Sequence, residues 1–283
     1  MRRTLTLTIA AAALLAVWAP SAGAATETVT SGPVTASFSY TKTDDLTYED
    51  LHLTIVRNGV VGLDAPLASR DCEIGCWPGS VLYEDGKSIK VTDLDGDGEP
   101  EVLLELYTGG AHCCVVTEVY SLQGPPATTV VPSYARVEHN FLDPGYTLRD
   151  LNGDGVPEWR SADGRFNYAL SSYVGSGVPI QIWRFQHGDL EDATGEFPSL
   201  VRADSKHWWR AYRHNIRLRP PENDFGLGAL AAWAGDEYRL GHGARVQREL
   251  KLALRRGWLD GPLGSGRWAV RNLNTLLRQT GYR

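Results

Sequence analysis

The chain has 283 residues, 28 basic against 34 acidic side chains for a formal charge of −6, and 42% apolar residues. That length suits one sizeable domain with a smaller companion. The acidic balance offers no electrostatic footprint for nucleic acid, and beyond the first twenty residues no stretch is apolar enough to span a bilayer.

Arg2 and Arg3 precede an uncharged apolar run from Leu5 to Ala19, and Ser21-Ala22-Gly23-Ala24 supplies the small residues of a cleavage site. Residues 1–24 are therefore expected to be a signal peptide rather than an anchor, with the secreted chain starting near Ala25. After it, Val34, Ala36, Phe38 and Tyr40 alternate with polar residues, as do Leu51, Leu53 and Ile55, and Asn58-Gly59 reads as a hairpin turn. Cys72 and Cys76 share a Gly/Pro-bounded loop, and Cys113 and Cys114 lie further on. Four cysteines in an exported chain imply two disulfides. Links from the Cys72/Cys76 loop to the Cys113/Cys114 pair are favoured, because adjacent cysteines close only a strained ring; a local Cys72–Cys76 bond stays open. His112 beside these thiols suggests a soft-metal or redox site, which oxidation of the thiols would remove.

Two acidic loops dominate the sequence. Asp93-Leu-Asp-Gly-Asp-Gly-Glu-Pro-Glu101 and Asp150-Leu-Asn-Gly-Asp-Gly-Val-Pro-Glu158 match at seven of nine positions and start 57 residues apart. Asp93, Asp95, Asp97 and Glu101, and in the second copy Asp150, Asn152, Asp154 and Glu158, place oxygen donors at positions 1, 3, 5 and 9. Glu99 and Val156 would add a backbone carbonyl at position 7. Glycine at position 6 allows the turn that wraps a hard cation, so two Ca²⁺ sites are expected. An EF-hand is disfavoured because position 12 is Leu104 or Ser161. Ile89 and Val91 before the first loop, and Val102, Leu104 and Leu106 after it, alternate with period two, which means strand, ion loop, strand. Val116 to Leu122 and Ile180 to Phe185 read as further strands.

With these residues in view, the chain resembles the FG-GAP or VCBS family of integrin-alpha-like calcium-binding β-propeller repeats, over residues 93–101 and 150–158 and loosely across 85–200. The resemblance implies blade-like antiparallel units, each with its ion loop between the first two strands and a largely structural metal. Two loops are too few for a closed seven-bladed ring.

Beyond residue 200 the period becomes helical. Leu227 to Tyr238, Val246 to Leu254 and Ala269 to Leu277 each end with an arginine close to a glycine, Gly241, Gly257 or Gly281, and a further helix is expected over 204–214. Pro220-Pro221 should break the chain between helices. Trp208, Trp209, Tyr212, Trp183 and Phe185 suit either a ligand surface or the packing between sheet and helices. Arg202, Arg210, Arg213, Arg217 and Arg219 make 200–220 locally basic, suited to an anionic polymer or an acidic partner, or simply a solvated face.

The sequence thus predicts an α+β chain: a β-rich calcium-loop domain over 25–200 built of propeller-blade-like antiparallel sheet units, then a small helical domain over 201–283. No nucleophile elbow, zinc-protease helix or phosphate-cradling loop is present, and no catalytic residue stands out. The expected function is a secreted calcium-binding module for an extracellular ligand such as a glycan, cell-wall polymer or protein. The alternative is an extracellular hydrolase of polysaccharide or peptide.

Overall fold

The computed structural model describes residues 23–72, 75–79, 86–126, 129–216, 224–261 and 263–283. Most of the expected signal peptide, Pro220-Pro221, Arg217 and Arg219 lie outside the described residues.

Among the described residues three antiparallel sheets follow one another. Sheet A is a meander of β1 (Gly23–Ser31), β2 (Val34–Lys42), β3 (Tyr48–Arg57) and β4 (Val60–Pro66). Its Asn58-Gly59 turn has both residues at positive φ, 48° and 79°, the conformation a two-residue hairpin needs to match strand twist. β1 runs two residues into the stretch read as leader, with Gly23 opposite Lys42 and Ala24 opposite Thr41.

Sheet B holds β6 (Ile89–Thr92), β7 (Glu101–Gly110), β8 (Cys113–Leu122) and β9 (Tyr134–Asn140) as a meander. The short β5 (Trp77–Pro78) pairs beyond β6 on β7, at Tyr107 and Leu106. Sheet C is the meander β10 (Tyr146–Arg149), β11 (Glu158–Ala162), β12 (Ile180–Gln186) and β13 (Asp189–Asp192).

Strand parity determines how the sheets pack. On β7, Val102, Leu104 and Leu106 face sheet A and share a core with Phe38, Leu53 and Ile55, whereas Leu103 faces sheet C. Likewise Val116 and Tyr120 of β8 point to sheet A, and Val115 and Val119 join Trp159, Phe185 and Tyr146 of sheet C. Sheet B is buried on both faces, so its central strands read as continuous apolar runs rather than as alternation.

Among the described residues four α-helices follow: α1 (Pro198–Asn215), α2 (Asp224–Arg239), α3 (Gly243–Arg255) and α4 (Gly266–Gln279). Pro198 starts α1, where a missing N–H costs nothing. Gly241, Gly257 and Gly281 all take positive φ just after their helices, as the arginine-then-glycine pattern predicts. α1 lies on sheet C through Val201, which packs with Ile180, Ile182 and Phe197, and the helices gather round Trp233, Tyr212, Leu250 and Leu273. The layers therefore run A, B, C, helices.

The favoured cross-links between the two cysteine pairs do not form. Cys72 bonds to Cys76 across 5.2 Å between Cα atoms, and Cys113 to Cys114. The reason is local: Cys72 N–H donates to Ser69 and Gly75 N–H to Cys72, so successive turns bring Cys76 back to Cys72. Cys113 and Cys114 begin β8 after the hairpin tip, where His112 stacks at 3.9 Å on Tyr173. With all four thiols oxidised, the soft-metal reading of His112 loses its ligands.

Candidate metal centre

The two acidic loops occupy equivalent places, the first joining β6 to β7 and the second joining β10 to β11. Their internal hydrogen bonds repeat residue for residue. Asp93 accepts from Gly96 N–H at 2.7 Å and Gly98 N–H at 3.0 Å, as Asp150 does from Gly153 at 2.6 Å and Gly155 at 3.0 Å. Asp95 accepts from Asp97 N–H and Asp97 from Glu99 N–H, matched by Asn152 with Asp154 and Asp154 with Val156. Glu101 and Glu158 reach back to Leu94 N–H and Leu151 N–H at 2.8 and 2.9 Å. Each position-2 leucine anchors its loop in the next layer: Leu94 in the core between sheets B and C, Leu151 against the core between sheet C and α1. The loops also touch, since a Cβ on Gly96 would come within 2.9 Å of Val156.

The electrostatics separate the two copies. In the first loop Asp93, Asp95 and Glu101 bring one carboxylate oxygen each within 4.8 Å of the others. Glu101 is 3% exposed, and among the described residues no lysine or arginine pairs with it. Burial, then the neighbouring aspartates, push its carboxyl up to about 8, and Asp95 is raised for the same reasons. Asp97 lines the same hollow of about 230 Å³, which His187 and Gly188 close from the turn between β12 and β13. Glu99, at position 7, turns its side chain away into a bidentate pair with Arg57 of β3, at 2.6 and 2.9 Å. Its backbone carbonyl remains the group expected to face an ion.

The second loop is better balanced. The Asn152 amide donates to Asp154 at 2.7 Å and to Glu158 at 3.3 Å, and Arg184 comes within 3.5 Å of the fully buried Glu158. Backbone N–H groups, led by those of Gly153 and Gly155, hold Asp150 below the usual carboxylate range. The donors in both loops are all oxygens, the set a hard cation takes, and no lysine or arginine among the described residues pairs with Asp93, Asp95, Asp97 or Glu101.

The aromatic residues divide between packing and surface. Tyr212 and Phe185 are buried, Trp209 stacks on Trp233 at 4.8 Å, and Trp208 donates its indole N–H to Asp204. Trp183 instead stands at the edge of a cleft of about 530 Å³ between β9, sheet C and the ends of α2 and α4. Asp163 and Asp192 also line it, each held by an arginine: Arg165 bidentately at 2.7 and 2.6 Å, and Arg239. Sequence reasoning did not find this cleft, because its lining is scattered from His139 to Thr280. The nearest signal was Trp183.

No family model matches the chain, and no solved structure matches it. Two curated proteins do. One, from Synechocystis, is described as a "Probable thylakoid lumen protein" and is 33% identical over 157 residues, 54% of this chain and 44% of that protein. The other, an "Uncharacterized protein" of Sinorhizobium fredii, is 31% identical over 138 residues, 48% of this chain and 20% of that protein. The chain thus spans less than half the length of either relative. No described helix is long and apolar enough to cross a membrane.

Proposed function

We propose that the chain is an extracytoplasmic calcium-binding module in which Ca²⁺ has a structural role, fixing the turn between β6 and β7 and that between β10 and β11. The observation that carries this reading is Glu101, a buried carboxylate set among aspartates with no lysine or arginine paired to it among the described residues. A buried charge without a partner is strongly disfavoured, and a divalent cation would supply the missing charge. The repeated hydrogen bonds of the second loop support a second site. Its lower charge, with Asn152 for Asp95 and Arg184 nearby, suits weaker binding.

The FG-GAP or VCBS reading draws support from the placement of both loops between the first two strands of a four-stranded meander. A setting outside the cytoplasm draws support from the leader-like sequence of residues 1–24, the oxidised cysteines and the lumenal description of the cyanobacterial relative. The partner would be an extracellular glycan, cell-wall polymer or protein.

Thermal melting in EGTA and in added Ca²⁺, with metal content measured by mass analysis, tests the reading. Chelation should lower the melting temperature and calcium should restore it by mass action. Asp97→Ala should remove the tighter site and Asp154→Ala the weaker. Identical melting curves with no bound calcium would sink the proposal.

A further inference from the structure

β12 changes character along one face. Phe185 is sealed between sheets B and C, Trp183 stands at the margin of that core, and Gln181 lines the open cleft beyond it. Gln181 makes no side-chain hydrogen bond among the described residues, and its amide opens onto the cleft. Trp183 Nε1 also lacks a hydrogen-bond partner. This face of the strand thus presents the cleft with an amide that no protein group engages, next to an aromatic wall.

From the opposite side, β9 contributes His139, whose ring lies 4.1 Å from Trp183 and 4.5 Å from Phe141. Burial holds its imidazole down to about 4, so it is neutral at ordinary pH. The rim is charged but balanced, because Asp163 is held by Arg165 and Asp192 by Arg239. The segment carrying Asp163 and Arg165 packs closely on the 142–144 turn, where a Cβ on Gly164 would meet Leu142 at 2.8 Å and Pro144 at 2.9 Å.

We propose that this cleft binds a neutral, hydroxyl-rich ligand, namely a saccharide unit. Hydroxyl groups both donate and accept, and so do the Gln181 amide and a neutral imidazole. The aromatic wall of Trp183 offers an apolar surface to the C–H face of a sugar ring. Arg165 spends two of its N–H donors on Asp163 and one on the Thr280 carbonyl at 3.3 Å, and keeps its Nη1 group for the ligand. An anion would compete with Asp163 and Asp192, and a cation with Arg165 and Arg239. The volume of about 530 Å³ falls in the ordinary range of small-ligand sites. This inference deepens the binding-module reading above but uses none of the residues of the acidic loops.

The test titrates the calcium-loaded full chain with glucose, galactose, mannose, N-acetylglucosamine, cellobiose and chitobiose, followed by tryptophan fluorescence and calorimetry. At least one should bind saturably. Gln181→Met should weaken it about tenfold, the equivalent of one good hydrogen bond, without lowering the melting temperature, since an unpartnered amide is replaced by an apolar chain of similar length. Trp183→Leu, which removes the aromatic face, should weaken binding as well and serves if the first variant fails to fold. Failure of every sugar to bind, or undiminished binding by the variants, would overturn the site. Binding of glucuronate or a tripeptide in place of the neutral sugars would overturn the ligand class. Melting in EGTA, measured on the same samples, separates this inference from the calcium reading. A protein stabilised by calcium that ignores sugars fails only here, and one that binds sugar with calcium-independent melting fails only there.

Discussion

Arg57 and Glu99 form a bidentate pair with both side chains almost wholly out of water, and Arg57 also donates to the Pro126 carbonyl at 3.2 Å. The pair ties β3 of sheet A to the first acidic loop. Breaking such a pair from one side leaves a desolvated charge, which costs about 3–5 kcal/mol. Arg57→Ala should therefore destabilise the calcium-loaded protein by roughly that amount in urea unfolding. The double change Arg57→Met with Glu99→Gln should recover much of the loss, because neither charge is then stranded. Residue by residue, the acidic loops were readable because glycine and oxygen-bearing side chains recur at fixed spacing. Arg57 was not, since nothing local in the sequence says that a strand-end arginine 42 residues away will turn to Glu99.

At the scale of elements, α1 and α2 meet across two carboxyl groups. Asp236 of α2 is fully buried and faces Asp204 of α1, which also accepts from Ile180 N–H and Trp208 Nε1, each at 3.0 Å. Burial and then Asp204 push Asp236 up to about 10, from an ordinary value of 3.8. Between those values the folded chain keeps a proton that the unfolded chain has released. Stability therefore falls as pH rises through this window, and the contribution is intact only below the unfolded value. Asp236→Asn should flatten that dependence, raising the melting temperature more at pH 8 than at pH 4 in a series of thermal melts. Helices α2 to α4 were legible because apolar spacing and the terminal glycines agree, and α1 was read shorter than it is. Strands such as β9, Tyr-Ala-Arg-Val-Glu-His-Asn, carry too little alternation to be seen alone; they form because a neighbouring strand offers its edge. The cystine pairing was misread because local turns set it, and sequence spacing does not report them.

For the whole molecule, the order of layers matters more than any single contact. Each layer shares an apolar core with its immediate neighbours, so stability should follow neighbour interactions as it does in stacked repeats. Sheet A, with one covered face, is expected to open at lower free energy than sheet B. Hydrogen exchange should show amides of β2 and β3 exchanging before those of β7 and β8. Comparable protection across both sheets would mean that the layers unfold together.

The two-sided burial of sheet B has a further consequence, for quality control rather than for binding. If sheet A is lost to proteolysis or truncation, Val102, Leu104, Leu106 and Val116 lose their cover and become a continuous adhesive surface. Sheet A then acts as a built-in chaperone for the remainder of the chain, and a chain shortened to begin at residue 67 should self-associate, visible as a larger species by light scattering, until the missing sheet is supplied in trans.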